Sequence, residues 1–336
     1  MLTPKQALFT KAMIERAPNR VELVVTTRDY DELNRFLKQL QLKHKSFGRH
    51  GGSTTEGKLR ASIERMESLA NFASRGNYDA SFSFISPEAS RVSFGLGIKH
   101  YVCSDSPHAN APSRLTVPLA HKLFSPFPLT KRSWTKYGIM KNQVFSYHAL
   151  DPWAWLLSSK IKRKRKELVV IRLEESFASY MKAGAGVSSV VGKLVALIKS
   201  LGDYEITVIP RYNEQRLWAK KNFGKSCTVP DSTIDARFLI SGASLVIGGG
   251  GTMTQEAALL GVPNISYFPS ARLDVFENFY FPQKLSVRAT SKVQLIEQTR
   301  TLLQNIECVT QEQQRRAQEI VGTFEDPIKF IFANIS

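Results

Sequence analysis

Cysteine is scarce in this 336-residue chain, with only Cys103, Cys227 and Cys308. An odd and widely spaced set fits neither a disulfide framework nor a zinc cluster, so the three read as core or surface thiols. Long apolar runs are also missing: none approaches the roughly 20 residues of a membrane span. The N-terminal residues show no basic-then-apolar leader pattern, and the expectation is a cytoplasmic protein. The six histidines, His44, His50, His100, His108, His121 and His148, are scattered without ligand spacing. No metal-binding residue is assigned, and metal-independent chemistry is expected. No zinc finger, RNA-binding aromatic strand pair or clear helix-turn-helix is present, which argues against sequence-specific nucleic-acid recognition. Acidic residues are in deficit, 29 Asp and Glu against 46 Lys and Arg, for a net charge of +17. That imbalance suggests an anionic partner or an unusual solvent, the candidate partners being a nucleotide sugar, an anionic membrane surface or nucleic acid held by charge alone.

Against these absences stands one dense motif. Leu245 to Pro269 reads as strand, glycine turn, helix and second strand, with Gly248 to Gly251 in succession. Glycines let the backbone approach a ligand closely, and the helix opening near Thr252 presents unpaired N–H groups to negative charge. Gly249, Gly250, Gly251, Thr252 and Thr254 are therefore candidates for a phosphate or nucleotide-sugar cradle. Glu256, one turn into the helix, is placed to accept hydrogen bonds from a ribose or sugar diol. A tight strand-to-helix connection without a ligand is the competing reading. Arg172 and Arg211, each at the end of a predicted strand, are candidates to clamp phosphate oxygens.

Thr3, Pro4 and Gln6 predict a capped helix running to Glu15. Strands are expected at Val21–Thr26, Lys43–Phe47, Ala80–Phe84, Lys99–Val102 and Lys122–Phe124. Helices are expected between them, including Leu59–Arg75 with Ile63, Met66, Leu69 and Phe72 facing inward. A basic run, Lys160–Lys166, then precedes a second alternating unit that begins at strand Leu168–Ile171. The pattern predicts two α/β domains, each built on a mainly parallel sheet, over residues 1–150 and 151–325. The two Rossmann-like domains are expected to face each other across a cleft, with the tail 326–336 as a helix at their junction.

In the first domain, Tyr101 to Asn110 follows a strand and carries a dense polar set. His108 and Asp105 are candidates for acid–base work, since a carboxylate can fix a histidine tautomer near neutral pH. Asn110 is a candidate substrate contact, and an Asx-Pro turn is the competing reading. His50 and Gly51 lie in a flexible loop able to cover a bound sugar or anion. Ser86 and Glu88 follow the Phe82 strand; Glu88 serves equally well as a first-turn charge.

The segments Thr27–Tyr30, His50–Gly52, Ser86–Glu88 with Arg91, Ser104–Ala109, Arg114–Leu115 and Gly249–Glu256 together resemble an archaeal and bacterial family, domain of unknown function 354. That family is related to GT-B glycosyltransferases and UDP-N-acetylglucosamine 2-epimerases. The resemblance implies a nucleotide sugar as donor substrate rather than a permanently bound cofactor, with Gly249–Glu256 holding diphosphate and ribose and the His108 loop facing the sugar or acceptor. Glycosyl transfer to an acceptor, lipid-linked at the inner membrane face in one version, is the first expectation. A 2-epimerase-like reaction and a non-enzymatic anionic-surface or nucleic-acid binder are the alternatives. Relatives begin with a short hydrophobic strand, so the first domain is expected to lack that opening strand.

Overall fold

A computed structural model describes residues 3–29, 31–52, 54–157, 166–174, 187–268 and 275–335. The chain divides into two compact units, Met1–Ser158 with Glu325–Ser336, and Ser159–Phe324. Most of the basic run, residues 160–165, lies outside the described residues.

Unit 1 comprises α1 (Pro4–Glu15), β1 (Thr26–Asp29), α2 (Asp31–Gln39), β2 (Lys45–Arg49), α3 (Thr55–Ser74), β3 (Ala80–Ser83), α4 (Pro87–Gly95), β4 (Lys99–Cys103), α5 (Asn110–Thr116), β5 (Lys122–Pro126), α6 (Arg132–Thr135), β6 (Val144–Tyr147) and α7 (Trp153–Leu156). Among the described residues the strands form two parallel sheets, β1-β2 and β3-β4-β5-β6. The predicted cap is present, with the Thr3 side chain accepting from the Gln6 N–H at 3.3 Å. The first strand starts later than expected, because it is Thr26 that enters register opposite Lys45, while the Val21 N–H is turned back to the Pro18 carbonyl.

The inward stripe of α3 is met in part: Leu69 is buried and Phe72 packs against Phe47 and Tyr78. Ile63 is 52% exposed, and the buried positions are Ala61, Arg65 and Leu69. The Arg65 guanidinium donates to the Thr27 carbonyl at 2.7 Å and to that of Phe47, tying the helix to β1 and to β2.

Unit 2 comprises β7 (Leu168–Arg172), α8 (Val191–Leu201), β8 (Glu205–Ile209), α9 (Asn213–Phe223), α10 (Arg237–Gly242), β9 (Leu245–Gly248), α11 (Thr252–Leu259), β10 (Asn264–Tyr267), α12 (Val275–Tyr280), β11 (Val287–Ala289), α13 (Lys292–Gln304) and α14 (Ile306–Val321). Its sheet is wholly parallel, in the order β11-β10-β9-β7-β8. Alternation along β7 sends Val169 and Ile171 into a core with α8 and α13, and Leu168 and Val170 into a second core with α10 and α11. A strand covered on both faces reads as a continuous apolar run, as Leu168-Val-Val-Ile does. The final helix, α15 (Pro327–Asn334), packs within unit 1, where Phe330 meets the rings of Phe124 and Tyr147.

Candidate functional site

In a parallel sheet the strands end together, and the turns that follow them gather at one edge. In unit 2 that edge collects the glycine turn after β9, Arg172 at the end of β7 and Glu174 just past it, Arg211 after β8, and Ser266 and Tyr267 on β10. Gly250 and Gly251 both sit at φ +80°. At Gly251, ψ is −160°, a region in practice confined to glycine. The turn delivers the chain into α11 with Gly251 as N-cap and no side-chain cap. The first N–H groups of the helix are thus free of a side-chain acceptor from their own cap, which is the arrangement an anion completes.

The side chains around this turn are ordered by the sheet edge. A Cβ built on Gly251 would lie 4.0 Å from Arg211 Nη2, so this guanidinium faces the turn. The Arg211 N–H donates to Gln215 Oε1 at 2.8 Å, while Gln215 Nε2 donates to the Glu174 carbonyl at 3.0 Å. Arg172 is spent differently: its Nη1 donates to the Pro210 carbonyl at 2.6 Å, making it a prop between strand ends. Thr254 and Glu256 are buried at 1% and 3% exposure, and Thr254 Oγ1 lies 3.6 Å from a Cβ built on Gly248.

Two carboxylates flank the turn that the sequence reading did not select. Glu174 accepts from the Ser188 N–H at 2.9 Å and from the Ser188 hydroxyl. Glu277 on α12 accepts from Ser266 Oγ at 3.3 Å, and its Oε1 lies 3.7 Å from a Cβ built on Gly250. The position of Glu174, two residues past a strand, was a usable signal; nothing in the local sequence marked Glu277. Tyr267 has its phenol pKa pushed up by burial and by the Glu174 charge.

In unit 1 the candidates separate into distinct networks. Ser86 caps α4, accepting from the Ala89 N–H at 3.3 Å and donating to Glu88 at 2.9 Å. Glu88, 4% exposed, also receives the Ser62 hydroxyl at 3.0 Å and pairs with Arg28. Burial pushes its pKa up, but the Arg28 guanidinium and the hydroxyls of Ser86 and Ser62 outweigh burial and hold it below the usual carboxylate range. Arg65 beside it is lowered to about 10, chiefly by burial, with Glu88 opposing and Arg28 reinforcing the fall. Glu88 is thereby a clamp joining α4, α3 and the β1 strand. Ile85, immediately before this cap, sits at φ +50°, which for a β-branched residue is genuine backbone strain.

Asp105 belongs to a second network. Lys5 on α1 pairs with both Asp105 and Asp151, the latter at 2.6 Å. Asp151 accepts from the Tyr147 hydroxyl, which lies 3.8 Å from Cys103 Sγ. Burial works against the Lys5 charge, yet the two carboxylates outweigh it and raise the ammonium pKa. Asp105 is lowered, because Lys5 and the Ser106 hydroxyl overcome its desolvation. Asp151, 3% exposed, is raised by burial and by the neighbouring Asp105 charge in spite of Lys5.

The expected Asp105–His108 pair does not form. His108 is exposed, and its ring makes no hydrogen bond among the described residues. The Asp105 carboxylate is taken by Lys5 and Ser106, so it does not set the His108 tautomer. Asn110 accepts from the Tyr137 hydroxyl at 2.6 Å and braces the same loop. His50 accepts the Gly52 N–H at 3.1 Å. Gly51 is explained by packing: a Cβ there would fall 2.6 Å from Lys58 Cα, so the loop lies directly on the first turn of α3.

Parallel α/β sheets of this kind, with the glycine turn at a strand-to-helix crossing, define a GT-B-like fold, and comparisons with known proteins agree. A crystal structure of UDP-GlcNAc 2-epimerase from Neisseria meningitidis, bound to UDP-GlcNAc, matches with a TM-score of 0.68 at 14% identity, over 99% of this chain and 98% of that one. The spinosyn rhamnosyltransferase SpnG, complexed with spinosyn aglycone, matches with a TM-score of 0.57 at 12% identity, over 98% and 95%. The chain belongs to the family described as protein of unknown function DUF354, whose model matches residues 3–336. An uncharacterized protein of Methanocaldococcus jannaschii is 26% identical over 270 residues, 76% of each chain.

Proposed function

We propose that the protein is a nucleotide-sugar-dependent enzyme that transfers a glycosyl group without a metal. The observation that carries this reading is the glycine turn at φ +80°, opening an uncapped α11 and faced by Arg211. In this reading the diphosphate rests on the backbone N–H groups of Gly250 to Thr252. Arg211 neutralises charge as the diphosphate leaves, which is where preorganised donors contribute most. Glu256, on α11, accepts the ribose diol, and Arg172 acts by fixing the strand ends rather than by touching phosphate. His108, exposed on the loop after β4, is the candidate base for an acceptor hydroxyl. The structures in which known proteins hold UDP-GlcNAc or an acceptor aglycone on this fold support the substrate class.

A second reading, epimerisation of the donor sugar, is supported by the match to a UDP-GlcNAc 2-epimerase that holds UDP-GlcNAc on this fold. Incubation with UDP-, GDP- and dTDP-sugars, followed by proton and phosphorus NMR, separates the two. Transfer or slow hydrolysis releases nucleoside diphosphate. Epimerisation alters the sugar signals while the nucleotide stays esterified. If every donor survives unchanged with a panel of polyol and lipid-alcohol acceptors, glycosyl transfer is wrong.

A further inference from the structure

Helix α9 has a side that its own domain does not use. Its inner side is fixed by Ala219, which is fully buried in the core shared with α8, and by Phe223 packed against that core. Leu217 lies two residues before Ala219, about 200° around the helix, and is 61% exposed. Trp218 beside it is 36% exposed and is braced edge-on by Phe223, with ring centroids 5.4 Å apart. Lys221 falls one turn after Leu217 on the same side, and Lys225 follows just past the helix end. Both lysines are exposed and make no ion pair among the described residues, whereas Lys220 is engaged by Asp231. Glu214 is the sole acidic residue of the helix.

From this face we infer that α9 docks the protein on an anionic lipid surface. An aliphatic side chain and an indole flanked by lysines match the interface between acyl chains and acidic headgroups, where apolar burial and charge attraction add. The excess of 46 basic over 29 acidic residues supplies the longer-range attraction. A nucleic acid offers Leu217 nothing to enter, and a single indole is not a stacking platform. The docking side and the proposed donor site share one helix, since Gln215 on its inner side holds Arg211 and reaches Glu174. Docking through α9 would therefore bring the glycine turn near lipid, where a lipid-borne acceptor would be found. That last consequence rests on the glycosyl-transfer reading; the docking itself does not.

The test is co-sedimentation of the full chain with phosphatidylcholine vesicles, with and without about 30% phosphatidylserine, at low and high salt. Binding should require phosphatidylserine and be lost at high salt. Each lysine near such a surface is worth about fivefold in partitioning, so Lys221→Gln with Lys225→Gln should weaken binding about 30-fold. Leu217→Ser with Trp218→Ser should weaken it at least about tenfold. Lys58→Gln with Arg75→Gln removes the same charge from exposed positions on and just beyond α3, and should change binding less than about threefold. The inference is overturned if the α3 pair weakens binding as much as the α9 pair, or if the Leu217/Trp218 variant binds as tightly as the parent. Absence of pelleting with phosphatidylserine at low salt, or displacement from vesicles by an oligonucleotide that binds through Trp218, overturns it equally. Nucleotide titration of the same variants reads the donor site separately.

Discussion

His100 makes the stability of unit 1 depend on pH in a calculable way. It sits on β4, 2% exposed, with Nδ1 2.6 Å from Ser81 Oγ and Nε2 3.1 Å from Ser83 Oγ. Burial lowers its pKa from 6.5 to about 4. At neutral pH the imidazole is uncharged in both folded and unfolded chains. Below pH 6.5 the unfolded chain takes up a proton that the folded one refuses, so the histidine's contribution to stability is complete above 6.5 and is lost as pH falls toward 4. At about 1.36 kcal/mol per pH unit, the loss is about 2 kcal/mol at pH 5 and about 3 kcal/mol at pH 4. Urea unfolding followed by tryptophan fluorescence suits the measurement, because Trp134, Trp153 and Trp155 all lie in unit 1. His100→Gln keeps hydrogen-bonding capacity and removes the titration. Between pH 6.5 and 5 the parent should lose about 2 kcal/mol more than the variant. Parallel pH profiles for the two proteins would refute the assignment of a buried neutral histidine.

Gly251→Ala places a Cβ on a backbone conformation that disfavours one, and should cost about 1–3 kcal/mol, read as a lowered urea midpoint together with weakened nucleotide binding. Glu256→Gln should weaken donor affinity by about 1–3 kcal/mol in calorimetry, whereas His108→Ala should lower turnover more than affinity; equal small effects from both would remove their assigned roles. Lys5→Met leaves Asp105 and Asp151 facing each other without their cation, and should destabilise unit 1 by about 3 kcal/mol in the same unfolding assay. Adding Asp105→Asn to that variant should restore part of the loss, since one of the two stranded charges is then gone.

Much of the architecture was legible because most helices and strands carry their period in apolar residues. Strand Lys99–Cys103, expected at Lys99–Val102, and strand Leu168–Arg172, expected at Leu168–Ile171, announce themselves in this way. Helix α14 does not, for its buried positions are Thr310, Gln313 and Ala317, which leave no apolar stripe to read. It packs on α11 through small surfaces, with a Cβ on Gly261 falling 2.7 Å from Gln314 Cα. Strand β11 was missed because a three-residue segment carries too little pattern, and β6 was missed as well. The glycine turn was legible since its conformation demands glycine. The Lys5–Asp105–Asp151 and Arg28–Glu88 pairs were not, because each joins residues distant in sequence that only the fold brings together. For the same reason Asp105 read as a partner for nearby His108 when its partner is 100 residues away.

The central claim is that the edge of the unit 2 sheet holds a nucleotide sugar. Calorimetric titration of the full chain with UDP, GDP and dTDP sugars, repeated with Gly251→Ala and Arg211→Ala, tests it most directly. The account predicts saturable binding of at least one nucleotide sugar, weakened by both substitutions while the fold is retained. Folded protein that binds none of them, or binds equally well when Gly251 and Arg211 are replaced, would contradict it.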